Sequence, residues 1–333
     1  MGEYATAFNA AWVGDIVASQ LGGSESTGQA ACEVQGPLYE RSNSRVYRLG
    51  HPKLPGPAAV KLCLEPYTLV PDGGFAREQF ETLGRTRAAL SDKARLSVPE
   101  PYFLVEEHGL LGMEWIAGVD MTTALFASGC RLAQAQCLLE RAGGWLRQFH
   151  HAGPMARSWL DTEYRLAQLE DNLAPRGVAE DRIYLRAISR ARATAAEAGA
   201  APLDSSWIHG DFKTDNLMVA GERTIGLDIN ARHRNTVFHD IAPFLDHLDL
   251  KLLHPRAWRF AGRRDRLVQT FLDGYGLPGD GATRRALSWA RLVSMLAVWQ
   301  SVAERQHTLP SAWAARLLFR RATSRLTGDL DRC

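Results

Sequence analysis

The hydrophobic pattern of this chain shifts after Gly118 from mainly β-type runs to mainly helical spacing, and that shift limits the folds open to it. Before it, short β-type runs alternate with turns. Arg45-Val46-Tyr47-Arg48-Leu49 and Ala58-Ala59-Val60-Lys61-Leu62 read as strands, joined through Gly50, Pro52, Pro55, Gly56 and Pro57. A helix is expected over Phe75 to Leu90. Strands at Tyr102 to Val105 and Leu110 to Ile116 follow, joined by Glu107-His108-Gly109. Beyond Gly118 the spacing becomes helical: Leu132, Ala135, Leu139, Ala142, Leu146 and Phe149 form one stripe within Arg131 to His151. Three short apolar segments intervene at Trp207-Ile208, Leu217-Met218-Val219 and Thr224 to Ile229, with Gly221-Glu222 as a tight turn between the last two. Helices centred on Phe271, Met295 and Leu317 end the pattern. Strands segregated from helices predict an α+β chain of two lobes, a small β-rich one and a larger, mainly helical one. The expected boundaries are 1–30 for an N-terminal helix (Tyr4 to Leu21) and linker (Gly22 to Gly28), 31–116 for the first lobe and 117–333 for the second.

Composition narrows the function classes. Of 333 residues, 46% are hydrophobic and 23% charged, which is ordinary for a folded soluble chain. Lys and Arg number 39 against 37 Asp and Glu, so the net charge of +2 gives no reason to expect nucleic acid or a membrane surface as partner. The five cysteines, Cys32, Cys63, Cys130, Cys137 and Cys333, include no CxxC pair, so reduced thiols are expected rather than a disulfide framework or zinc site. The first residues lack a basic and apolar leader pattern, and no apolar run reaches 18 residues. The expected location is the cytoplasm.

The densest chemistry lies in His209-Gly210-Asp211-Phe212-Lys213-Thr214-Asp215-Asn216, a loop between apolar segments, with Asp228 at the end of the following hairpin. Phosphoryl transfer asks for such a set. One carboxylate orients the attacking hydroxyl and accepts its proton, while a second carboxylate and an amide oxygen hold Mg²⁺ on the phosphates.

These residues resemble the catalytic loop of the aminoglycoside phosphotransferase and choline kinase group of small-molecule kinases, and more distantly that of protein kinases. The resemblance implies a two-lobed protein-kinase-like fold and an ATP-dependent phosphotransferase. It assigns Asp211 as catalytic base, Asn216 and Asp228 as Mg²⁺ ligands, and Asp240 as a structural aspartate. Lys213 takes the place of a lysine that neutralises charge on the transferred group. Lys61, in Ala-Ala-Val-Lys, is similar to the strand lysine that grips the nucleotide phosphates, and Glu78 on the next helix is its expected partner, with Glu81 as rival. There is no GxGxxG. The Ser42-Asn43-Ser44 turn stands there instead and resembles the phosphate-covering turn of small-molecule kinases, whose backbone N–H groups cradle anionic oxygen. Met113-Glu114-Trp115-Ile116 occupies the place of the adenine-binding hinge.

A hydroxyl-bearing small molecule is therefore the expected acceptor. A protein substrate is the alternative, made less apt by the short segment between Asp228 and Asp240 and by the missing Ala-Pro-Glu. A non-catalytic nucleotide-binding module is a further alternative, although Lys61, Asp211, Asn216 and Asp228 are all present. In this fold the segment leaving the metal aspartate runs beside the acceptor. Here it reads Ala231-Arg232-His233-Arg234-Asn235. With Lys213, these cations favour an anionic acceptor. Equally, they form a solvated turn or pair with Asp246 and Asp249.

Overall fold

A computed structural model of the chain describes residues 8–22, 32–90, 95–171, 181–231, 233–260, 262–305 and 310–332. The expected linker Gly22 to Gly28, apart from Gly22, lies outside these residues, as do Tyr4, Arg232 and Cys333. The chain divides into two compact units, Met1–Val119 with Met218–Ile229, and Asp120–Leu217 with Asn230–Cys333.

The first unit opens with helix α1 (Ala10–Gly22), followed by strands β1 (Glu33–Arg41), β2 (Ser44–Gly50) and β3 (Ala58–Cys63). Helix α2 (Gly73–Ala89), strands β4 (Leu96–Ser97), β5 (Pro101–Val105), β6 (Leu110–Glu114) and the short β7 (Val119–Asp120) come next. Five strands form an antiparallel sheet in the order β1-β2-β3-β6-β5. Val13 and Val17 of α1 seal it against Tyr47, Leu49, Val60 and Leu62. β1 was not expected from the sequence. It is exposed along almost its whole length and interrupted by Gly36-Pro37, so it carries the composition of an edge strand rather than a buried one.

In the second unit come α3 (Met121–Phe126), α4 (Leu132–His151), β8 (Ala156–Ser158), α5 (Thr162–Asp171), α6 (Arg182–Ala193), α7 (Ala195–Ala198) and β9 (Leu203–Trp207). The chain returns to the first unit for the hairpin β10 (Leu217–Ala220) and β11 (Arg223–Gly226), which lies in a small sheet ordered β4-β11-β10-β7. It then re-enters the second with β12 (Arg234–Thr236), α8 (Phe238–Leu252), α9 (Arg264–Tyr275), α10 (Gly281–Arg305) and α11 (Pro310–Arg332). The stripe read on α4 is the buried face, with Ala135, Leu139, Ala142, Leu146 and Phe149 inside.

Helices α4 and α9 cross in backbone contact. A Cβ on Gly143 would strike the Phe271 carbonyl and the Tyr275 nitrogen, and one on Gly274 would strike the Glu140 backbone. The crossing brings His150, in the last turn of α4, against Tyr275, the last residue of α9, and the two hydrogen-bond to each other. Gly143→Val is expected to cost about 3 kcal/mol or more through overpacking against rigid backbone. Urea denaturation will read this as a lower midpoint.

Three charged residues, Asp246, Asp249 and Arg291, are buried between α8 and α10, with partly buried Arg264 of α9 beside them. Asp249 accepts from Arg264 (2.6 and 2.7 Å) and from Arg291 (2.6 Å), and Arg291 also reaches Asp246 (3.1 Å). Asp249 is thus engaged by Arg264 and Arg291, and Asp246 by Arg291, rather than by His233 or Arg234. Burial pushes the Asp246 carboxyl up to about 7, with Arg291 opposing and Asp249 reinforcing the rise. Between the ordinary carboxylate value and about 7, the folded chain holds a proton that the unfolded chain releases. The contribution of this group to stability is therefore largest at low pH and is lost as pH rises through that window. Accordingly, Asp246→Asn should gain stability relative to the unmodified chain between about pH 4 and about pH 8. A constant difference in denaturation midpoint across that range would contradict this.

Candidate active site

The first unit holds the phosphate-gripping candidates. Lys61 sits mid-strand in β3, a strand buried at every position. Its Nζ donates to Gln79 Oε1 at 2.9 Å and to Asp228 Oδ1 at 2.7 Å. The helix residue bonded to Lys61 is therefore Gln79, not the expected Glu78. The physical reason is rotational. The buried face of α2 runs through Ala76, Gln79, Thr82, Leu83 and Thr86, and Gln79 is 8% exposed. Glu78, by contrast, is only half-buried, as is Phe80 beside Gln79. One residue on a helix is a turn of about 100°, enough to swap one side chain for its neighbour.

Asp228 follows β11 and adopts φ 54°, a left-handed conformation shared among non-glycine described residues only with Leu69. Asp tolerates this region better than most residues, and such conformations gather at functional sites. Its side chain is 43% exposed.

The Ser42-Asn43 pair is a two-residue hairpin loop between β1 and β2, with Arg41 opposite Ser44. Ser44 is buried at the start of β2, and the Asn43 carbonyl accepts from the Leu64 N–H at 2.9 Å. In the expected hinge, the Glu114 N–H bonds Glu100 and the Trp115 N–H bonds Pro57. The Glu114 carboxylate is occupied by Arg223 (2.9 Å). Met113 is paired within the sheet, whereas Ile116 makes no backbone hydrogen bond to any described residue.

The loop from His209 to Asn216 belongs to the second unit, and its burial alternates. Phe212, Thr214 and Asn216 point inward, while Asp211 is exposed and Lys213 and Asp215 are half-buried. Phe212 is the anchor, stacked between Trp145 (5.6 Å) and Phe244 (5.0 Å). Gly210 has φ 84°, and a Cβ there would press on Asn230 at 3.3 Å, so this position favours glycine.

Asp240 grips the loop backbone. Its fully buried carboxylate accepts from the His209 N–H at 2.6 Å and the Gly210 N–H at 2.9 Å. His150 Nε2 lies 3.0 Å from the same carboxylate, and its Nδ1 is 2.9 Å from the Tyr275 hydroxyl. With Nε2–H donating to Asp240, Nδ1 accepts from Tyr275, a chain in which each group is satisfied. Burial works to raise the Asp240 pKa, but His150 and the His209 N–H outweigh it and hold the carboxyl below its usual value. Asp215 pins the other end. His247 first, then Thr122 and Lys251, keep its carboxyl well below the usual range despite burial.

At the centre, Asn216 Nδ2 donates to the Asp211 carbonyl and to Asp211 Oδ2, both at 2.9 Å. This fixes the amide so that Asn216 Oδ1 remains as an acceptor. The Asn216 amide oxygen in the second unit and the half-exposed Asp228 carboxylate in the first are each the kind of hard oxygen donor that Mg²⁺ takes. Lys213 Nζ bridges both Asp211 oxygens, at 2.9 and 2.7 Å. Its charge is therefore engaged with the Asp211 carboxylate rather than free for an acceptor. Arg234, the other expected cation, donates to the Pro154 carbonyl at 2.6 Å.

These features can be set against known proteins. A profile of the phosphotransferase enzyme family matches residues 40–289, which is most of the chain. The chain belongs to that family. No curated protein matches it in sequence. Solved structures similar to this phosphotransferase include a choline/ethanolamine kinase family protein from Mesorhizobium loti, at 15% identity and TM-score 0.60, covering 97% of this chain and 99% of that one. A glucosamine kinase in complex with glucosamine, ADP and inorganic phosphate is 16% identical with TM-score 0.60, over 90% of this chain and 80% of its own. The ADP-bound aminoglycoside phosphotransferase APH(2'')-Ib is 12% identical with TM-score 0.55, over 96% and 98%. The shared architecture is the protein-kinase-like fold of small-molecule kinases. In the phosphotransferase, no helix among the described residues is long and apolar enough to cross a membrane.

The sequence reading missed His150, Tyr275, Thr122 and Gln79 as members of the site. His150 was within reach, because it falls beside Phe149 on the buried stripe of α4, where an unpaired histidine would be costly. Gln79 carried no such signal.

Proposed function

We propose that this phosphotransferase is a cytoplasmic ATP-dependent kinase that moves the γ-phosphoryl group to a hydroxyl of a small molecule. One observation carries the reading: Asp211 presents an exposed carboxylate on a loop whose backbone is held by buried Asp240 and whose own oxygen is steered by Asn216. That is a rigid acceptor for one proton.

In this proposal the acceptor hydroxyl donates to Asp211. Its oxygen attacks the γ-phosphorus as the bond to the β-phosphate oxygen breaks, its proton passes to Asp211, and ADP leaves. Lys61, positioned by Gln79, carries positive charge to the nucleotide phosphates. Lys213 holds Asp211 at rest and is the cation at hand for the transferred group. The Ser42-Asn43-Ser44 turn covers the phosphates, and adenine is taken by the hinge, where Ile116 keeps its backbone groups available. Mg²⁺, when bound by Asn216 and Asp228, neutralises charge on the phosphates.

The test is Mg²⁺-dependent ADP formation with a panel of amino sugars, amino alcohols, neutral sugars and nucleosides. One class should stimulate turnover well above the rate with water. Failure of every member, with MgATP binding intact, would turn the reading toward the non-catalytic module.

A further inference from the structure

Arg165 of α5 is a cation in want of an anion. Its Nη2 lies against both ring nitrogens of His239. Nε and Nη1 have no hydrogen-bond or ion-pair partner among the described residues. The acid that acts on it, Asp161, is beyond ion-pair range and spends its carboxylate capping α5 on the Tyr164 N–H at 3.0 Å. His239 supplies no countercharge. Burial first, then the Arg165 charge, push its pKa down to about 3, so the ring is neutral. Around His239, exposed His233 adds a further base, and the Asp240 carboxylate is already taken by the His209 and Gly210 N–H groups and by His150. A guanidinium taken partly out of water without a counter-ion is unfavourable unless something else meets it.

Its position links it to the chemistry. His239 immediately precedes Asp240, whose carboxylate binds the His209 and Gly210 N–H groups next to Asp211. A ligand group held at Arg165 therefore sits two contacts from the backbone that carries the base. We infer that Arg165 is the receptor for an oxyanion, a carboxylate or phosphate group, borne by the acceptor. This rests on the kinase reading for what the anion is attached to, and it moves the anionic preference away from Lys213, whose Nζ spans the Asp211 carboxylate, and from Arg234, which is exposed and rests its Nη2 on the Pro154 carbonyl. Guanidinium geometry suits such a group through paired N–H donors.

The experiment titrates inorganic phosphate and acetate, at ionic strength held constant with chloride, into protein saturated with MgADP, and follows the melting temperature. The unmodified chain should be stabilised by one of the two beyond chloride, and which one separates a phosphate-bearing from a carboxylate-bearing acceptor. Arg165→Met should bind that anion at least about tenfold more weakly, and Arg165→Lys, which keeps the charge without the paired donors, should fall between. In chloride alone Arg165→Met should melt no lower than the unmodified chain, since it removes an uncompensated charge. Three results would overturn the assignment: no stabilisation by either oxyanion, stabilisation retained in Arg165→Met, or a lower melting temperature for that variant in chloride. ADP formation with the acceptor panel is scored separately. A chain that binds the oxyanion through Arg165 yet phosphorylates nothing sinks the kinase reading alone.

Discussion

Asp211→Asn should abolish nearly all turnover while leaving nucleotide affinity unchanged. A general base contributes about 10²–10⁴-fold, and misplacing the attacking hydroxyl adds to that loss. The variant is well suited to separate chemistry from folding. Asn keeps an oxygen that can accept from Asn216 Nδ2, as Asp211 Oδ2 now does at 2.9 Å. The grip of Asp240 on His209 and Gly210 uses backbone N–H groups and does not involve the Asp211 side chain. What changes is charge: Lys213 loses the carboxylate it now spans. Because Asp211 is 46% exposed and Lys213 is partly solvated, losing that pair should shift stability by less than about 1 kcal/mol. Single-turnover kinetics and MgADP titration together check this. A variant within tenfold of normal turnover would remove Asp211 from the role of base.

How far the site could be read in advance depended on how local each relation is. Asp211, Lys213 and Asn216 sit within one loop, and the alternation that buries Phe212, Thr214 and Asn216 is short-range, so the motif itself was legible. Lys61 was legible because a lone lysine ends the apolar run Ala-Ala-Val-Lys, which resembles the family's strand. Its helix partner was not, since Glu78 and Gln79 differ only by the rotational phase of α2, and that phase is decided by what packs on Ala76, Leu83 and Thr86. The His150–Asp240–Tyr275 chain joins three helices far apart in sequence. Nothing along the chain announces such a contact. Segment 231–235 taught a different lesson. Its basic character was plain, yet Arg234 proved to be a backbone cap on Pro154, and the unmet cation lies on α5, in a helix not expected from the sequence. Charge runs show where cations are dense, not which of them lacks a partner.

Asp228→Asn should keep the fold and lose Mg²⁺-dependent nucleotide binding. Asn at this position can still accept from Lys61 Nζ, now 2.7 Å from Asp228 Oδ1, and still tolerates φ 54°. It cannot supply the formal charge that a hard cation prefers. Asp228→Ala should show the same binding defect together with a loss of stability. Alanine in a left-handed conformation costs about 1–2 kcal/mol, and the Lys61 ammonium, 7% exposed, would be left with Gln79 as its partner among the described residues. Comparing the two variants therefore separates the metal from the backbone. MgATP and ATP in EDTA are titrated against each, with urea denaturation alongside. Both variants should bind nucleotide equally with and without Mg²⁺, whereas the unmodified chain should bind MgATP far more tightly than free ATP. If Asp228→Asn retains that Mg²⁺ dependence, the ion is held by other oxygens. Asp228 would then act chiefly as the counter-ion that keeps Lys61 charged and in place on β3.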